Sequence, residues 1–136
     1  MREIKVRAWY KPYKQMCQVE SLRFDGNGVY TAVLIEEPFY DRRIVEADEI
    51  VIEQFTGLKD INGTEIFEGD IVKYYPHHRG VPYRVYWADK SAKFLIGRDG
   101  VIGQSFSDIM HNLNTGRIAL EVVGNIHENP ELLEEK

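Results

Sequence analysis

The sequence predicts a mostly antiparallel β protein with two regions. Residues 1–55 form an N-terminal β region, and 56–136 form a small SH3-like barrel with an internal helix at 105–113 and a short C-terminal helix. Three observations carry this. Apolar residues recur with period 2 in short runs, turn signals separate the runs closely, and little chain is left between them for the crossover helices of βαβ units. Both regions are too small to be trusted as independent folders, so a shared interface is expected.

In chain order, Ile4, Val6 and Ala8 alternate with Lys5, Arg7 and Trp9 as in a half-buried strand, which Pro12 ends. A second run, Met16 to Phe24, enters Asp25-Gly26-Asn27-Gly28, whose residues suit a tight hairpin, and Val29, Thr31, Val33 and Ile35 continue beyond it. Glu36 to Asp48 mixes charge with Pro38 and shows no clean period, so it reads as a long connection or irregular edge. Ile50 to Phe55 is again apolar. Asn62-Gly63, between short apolar positions, is the strongest hairpin signal in the chain. Glu68-Gly69-Asp70 introduces a β-branched and aromatic run from Ile71 to Tyr75, and further strands are expected around Val81 to Trp87, Phe94 to Ile96 and Ile118 to Ile126.

Phe106, Ile109, Met110 and Leu113 follow helical spacing, with Ser105 as the N-cap and Asp108 at N3. Asn129-Pro130-Glu131 reads as N-cap, N1 proline and acidic first turn of the terminal helix.

Composition places the chain in the ordinary globular range: 136 residues, 43% hydrophobic, 29% charged, mean hydropathy −0.38. No apolar stretch approaches the ~20 residues of a bilayer span, and MREIKVRAWY is not a signal-peptide sequence, so a cytoplasmic location is expected. Cys17, the single cysteine, has no disulfide or thiolate partner, in keeping with a reducing compartment. The net charge of −5 conceals blocks of +3 (1–35), −7 (36–68), +3 (69–100) and −4 (101–136). A pI of 5.4 argues against a dedicated, sequence-indifferent DNA binder but leaves room for a local basic face.

Three phrases stand out together: Glu3-Ile4-Lys5-Val6-Arg7-Ala8-Trp9; Gln54-Phe55-Thr56-Gly57-Leu58-Lys59-Asp60-Ile61-Asn62-Gly63 with Glu65-Ile66-Phe67-Glu68-Gly69-Asp70-Ile71-Val72; and Glu121-Val122-Val123-Gly124-Asn125-Ile126-His127-Glu128-Asn129-Pro130-Glu131-Leu132-Leu133. In this order they resemble the YopX family of phage and prophage proteins across nearly the whole chain. The resemblance implies a mostly-β protein encoded by a bacteriophage or an integrated prophage. It brings no catalytic set, so none is transferred.

The candidate chemistry is sparse. Asp60, Glu65, Glu68 and Asp70 form the densest carboxylate group, the ligand type of a hard cation, but turn and strand-start roles explain Asp60 and Asp70 without one. His77-His78 point to opposite sides if extended and sit in a loop-like setting. Cys17, Ser91, Ser105 and Ser107 lack a nucleophile-elbow frame, and the glycines at 97, 100 and 103 lack the lysine of a phosphate loop. No catalytic residue, metal or cofactor is therefore assigned.

The expected function is binding: self-assembly into a homo-oligomer, or association with a host or phage protein, with no catalysis and no membrane. The alternative is a nucleic-acid module in which Lys73, Tyr74, Arg79, Arg84, Tyr86 and Lys93 supply phosphate partners and stacking faces. A metal-dependent phosphodiesterase or nuclease is a weaker second alternative.

Overall fold

The computed structural model describes residues 4–36, 41–75, 81–97, 104–105 and 112–134. Among these described residues eleven β-strands dominate: β1 Val6–Tyr10, β2 Gln15–Asp25, β3 Gly28–Glu36, β4 Asp41–Glu46, β5 Ile50–Lys59, β6 Glu65–Phe67, β7 Asp70–Tyr75, β8 Pro82–Ala88, β9 Lys93–Gly97, β10 Gln104–Ser105 and β11 Ala119–Asn125. Every resolved strand pairing between them is antiparallel. The strands fall in two sheets, ordered β4-β3-β2-β1-β5-β6 and β10-β9-β8-β7-β11. Among the described residues no helix is long and apolar enough to cross a membrane.

The chain divides into two compact units, Met1–Phe55 and Thr56–Lys136. In the first, β1 is central, with Ala8 opposite Cys17 of β2 and Ile52 of β5. Opposed residues of an antiparallel pair share a face. Ala8, Tyr10, Cys17, Ala32, Leu34, Val45 and Ile50 consequently gather on one face as a buried core, with Val19, Leu22 and Ile52 against it. Cys17 is a small core residue, as its apolar run suggests. On the opposite face, Arg7 of β1 donates from Nε to Glu53 of β5 at 3.1 Å, directly across the strand pair, with the Glu53 carboxylate almost wholly buried. The expected β2–β3 hairpin forms with Asp25 opposite Gly28, and Asp25 Oδ1 accepts from Asn27 N at 2.7 Å.

The second unit packs Ile66, Val72, Tyr74, Val85, Ile96, Ile118 and Leu120 into its own core. Val72 and Tyr74 of β7 lie opposite Val122 and Leu120 of β11, Val72 also lies opposite Tyr83 of β8, and Val85 lies opposite Ile96 of β9. One face of the five-stranded sheet thus feeds this core.

Three expectations need correcting or narrowing. No closed barrel forms among the described residues. The five-stranded sheet is open, with β10 and β11 at its edges, and β6 pairs with β5 in the other sheet. Residues 41–46, read as connection or irregular edge, are a regular strand. Consecutive Ile44 and Val45 point to opposite faces, and only Val45 is buried, so the period is invisible in a hydropathy reading. Ser105 lies in β10, residues 112–114 are helical, and the rest of the expected 105–113 helix lies outside the described residues. At the C-terminal end, Pro130–Leu133 is a 3₁₀ helix with proline in its first turn, but Asn129 does not cap it.

Asn129 is used elsewhere. A bulge sits in β11 between Val122 and Gly124, and Asn129 Oδ1 accepts from Asn125 N at 3.2 Å just beyond it. A Cβ on Gly124 would stand 2.5 Å from that Oδ1, so the glycine is required by close approach.

Leu34 and Ile44 provide a contrast within two neighbouring strands, Leu34 being 0% and Ile44 78% exposed. Leu34→Ala is expected to cost about 2–5 kcal/mol, and Ile44→Ala within about 0.5 kcal/mol of zero, when both are compared by urea unfolding at a concentration low enough for the chain to be monomeric.

Candidate functional site

The carboxylate group at the start of the second unit is built into the fold. Asp60 follows β5 at the turn that Asn62-Gly63 was expected to make, where Gly63 takes φ +81°. Asp60 N donates to Thr64 O at 2.8 Å, and Gly63 N returns to Asp60 O at 3.0 Å. The side chain does more. Oδ1 accepts from Asn62 N and Thr64 N, both at 2.8 Å, and Oδ2 accepts from Val122 N at 2.9 Å, beside the β11 bulge. Ile61 N adds a bond to Leu120 O at 2.9 Å. A single buried carboxylate therefore satisfies three backbone donors from two segments.

Asp70 has a similar role at the next turn. Its Oδ2 accepts from Phe67 N at 2.7 Å and closes the Glu68-Gly69 turn. Gly69 N donates to Val85 O at 2.8 Å, while Gly69 O receives Ile126 N at 2.9 Å. The turn is thereby bolted to β8 and to the end of β11. Among the described residues, Asp60, Glu65, Glu68 and Asp70 do not converge as a three-ligand set. The carboxylates that do are Glu46, Asp48 and Glu49, in the first unit, with oxygens within 4.8 Å of one another.

The basic and aromatic residues sort by strand parity. Tyr74 is in the core, 6% exposed, with its phenol held above the ordinary value of 10.0 by burial and then by neighbouring Tyr83. Its ring is inaccessible to a nucleobase. Lys73, Arg84, Tyr86 and Lys93 occupy the other face of the same sheet. The register places Ile71 opposite Arg84, Tyr86 opposite Leu95 and Ala88 opposite Lys93, with Lys73 opposite Pro82. The Arg84 guanidinium lies 5.2 Å from the centre of the Tyr86 ring. Glu121 of β11 sits directly across from Lys73, which offsets some of the positive charge. The Pro130–Leu133 helix lies against β8. Arg79, with His77 and His78, lies outside the described residues.

The first unit presents a different kind of surface. Among the described residues the edge strand β4 pairs with β3 alone, placing Ile44 opposite Val33 and Arg42 opposite Ile35. Arg43, of opposite parity, lies 5.6 Å from the Tyr10 ring centre and 4.6 Å from that of Tyr13. Tyr10 OH donates to Glu49 Oε2 at 3.4 Å, and burial together with that carboxylate pushes the phenol above its ordinary value, opposed by Arg43. This stack fixes β4 from one side. Arg42, Ile44 and Glu46 all face the other way and are exposed.

The YopX protein family matches residues 5–134, nearly the entire chain. The chain belongs to the YopX family. Among solved structures it is similar to the crystal structure of protein EF1440 from Enterococcus faecalis, at 31% identity and a TM-score of 0.66, covering 98% of this chain and 100% of that one. No protein with a curated description matches it.

The family phrases fall where the YopX fold carries its structural load. Asp60, Gly63, Asp70, Gly124 and Asn129 belong to them, and each supports a turn, a bulge or a strand junction. Two features escaped the sequence reading. The edge strand β4 was hidden by its consecutive apolar pair, and the Asp60–Val122 bond spans 62 residues with no local signal. Strand parity was a signal for Tyr74, since adjacent Lys73 and Tyr74 cannot share a face.

Asp60→Ala is expected to strip acceptors from three backbone donors and lower stability by about 2–4 kcal/mol. Asp60→Asn, which keeps one acceptor oxygen, should lose less. Thermal unfolding of the two variants checks the order.

Proposed function

We propose that this YopX-family chain is a phage- or prophage-encoded, cytoplasmic accessory protein that acts by binding protein, either a second copy of itself or a host or phage partner, and not by catalysis. The observation that carries this reading is the display of large apolar side chains in the first unit: Tyr13, Phe24 and Ile44 are 55%, 64% and 78% exposed, the latter two on strands. Aromatic and aliphatic anchors of this kind gain most from being covered by a partner. The backbone duties of Asp60 and Asp70 support the same reading, since a carboxylate spent on fixed amides is poorly placed to hold a metal ion for phosphodiester cleavage.

The test is sedimentation of the purified chain together with a tagged capture from phage-bearing cells, treated with nuclease and washed at moderate salt. Self-association, or a stoichiometric protein that survives nuclease, is expected. A monomer that retains no protein overturns the reading.

A second reading is favoured by one specific arrangement, the placement of Lys73, Arg84, Tyr86 and Lys93 on a common sheet face with Arg84 stacked on Tyr86. A single-stranded nucleic acid laid on that face would meet cations for its phosphates and one ring for a base. It predicts oligonucleotide affinity that falls with salt and weakens in Arg84→Ala and Lys93→Ala, while Tyr74→Phe leaves it unchanged. Fluorescence anisotropy at two salt concentrations checks it.

A further inference from the structure

Among the described residues β4 ends its sheet, and a strand edge of this kind offers backbone donors and acceptors to another strand. Natural edges are commonly blunted with charged side chains. Here both signs are present and set apart: Asp41, then Arg42 and Arg43, then the uncharged Ile44 and Val45, and Glu46.

A two-fold axis normal to a sheet pairs antiparallel strands so that residue i meets residue j of the other copy with a constant sum, and opposed residues share a face. Only even sums satisfy this. Centring on Arg43 puts two guanidiniums side by side. Centring on Ile44 instead opposes Ile44 with its own copy and places Arg42 across from the partner's Glu46, twice by symmetry.

The three outward residues then match. Ile44, 78% exposed, becomes the centre of an apolar strip with half-buried Val33 and Ile35 on the same face. Arg42 is 71% exposed at its side chain and uses Nε to bond Glu20 at 2.6 Å. A guanidinium carries five N–H donors, so this bond leaves others to meet a second carboxylate. Glu46 stands in the Glu46–Asp48–Glu49 group, whose like charges favour the approach of a cation. The inward side of β4 is already fastened by Arg43 on Tyr10 and Tyr13, so the strand is held in shape for pairing.

We infer that two copies of this chain associate through β4, forming a continuous antiparallel sheet with Ile44 opposite the partner's Ile44 and Arg42 opposite the partner's Glu46. This rests on the binding reading above and names the partner as a second copy. Cross-strand charge pairs set the register, and the apolar strip supplies the attraction.

The experiment uses the full chain. Wild type contains one buried thiol, Cys17, so Ile44→Cys adds a single exposed one. In the inferred register the paired Cα atoms lie about 4.5–5.5 Å apart, within disulfide reach. Mild oxidation at micromolar concentration should convert Ile44→Cys to a covalent dimer, while Ser21→Cys, exposed on a different strand, stays monomeric. In the unmodified chain, Arg42→Glu alone and Glu46→Arg alone should each weaken dimerisation about tenfold or more by sedimentation. Mixing those two single variants should restore a heterodimer, because each then opposes unlike charges. Circular dichroism checks that each variant is folded.

A wild-type dimer in which Ile44→Cys fails to cross-link, or whose charge variants do not complement, places the interface elsewhere and overturns the β4 inference while leaving the binding reading intact. A wild-type monomer at all concentrations also overturns it. The broader reading then stands or falls on the capture of another protein.

Discussion

The second unit depends on one carboxylate. Asp60 terminates β5, shapes the turn into β6 and holds β11 by its Val122 amide, so a residue near the middle of the chain ties local geometry to a strand formed much later. Both oxygens accept from backbone N–H groups, and the residue is only 8% exposed. Charge-assisted bonds in such a setting are strong, and no neutral side chain of similar size supplies as many acceptor sites. The β11 bulge lies directly beyond this bond. Val122 is the last regular partner of β7 before the register shifts, and its amide is the one that Asp60 takes.

The same economy recurs at Asp70 and Asn129. Each accepts from a backbone N–H close by in sequence, Phe67 and Asn125 respectively, and each stands beside a glycine that permits the tight path. Acidic and amide residues that resemble a ligand set on paper are, in three dimensions, the fasteners of turns. This is why the family phrases are rich in Asp, Asn and Gly and still describe architecture more directly than chemistry.

Local features were legible in the sequence because local physics decides them. Asn62-Gly63 and Asp25 to Gly28 make turns wherever they fall between strands, and the alternation in Val6 to Trp9 and in Val81 to Trp87 yields strands whose parity carries through to the structure. What was not legible depends on partners distant in sequence. Nothing near residue 65 announces that β6 will pair with β5 or that the five-stranded sheet will stay open, and hydropathy does not distinguish the buried Val45 from the exposed Ile44. The basic-aromatic run fell between these cases: Arg84, Tyr86 and Lys93 emerged on one face, whereas Tyr74 went to the core with the opposite parity.

The β2–β3 hairpin is the longest element pair, of 11 and 9 residues, and towards its turn Arg23, Phe24 and Asp25 are all exposed. On β2 the far end is therefore held by its ladder more than by packing. The first β2 residue inward from the turn with a packed side chain is Leu22, paired with the buried Ala32, so a separation that starts at Asp25–Gly28 passes Asp25, Phe24 and Arg23 before core packing on that strand has to break. The hairpin thus combines a rigid root with a compliant tip, a division of mechanical labour inside a single pair of strands.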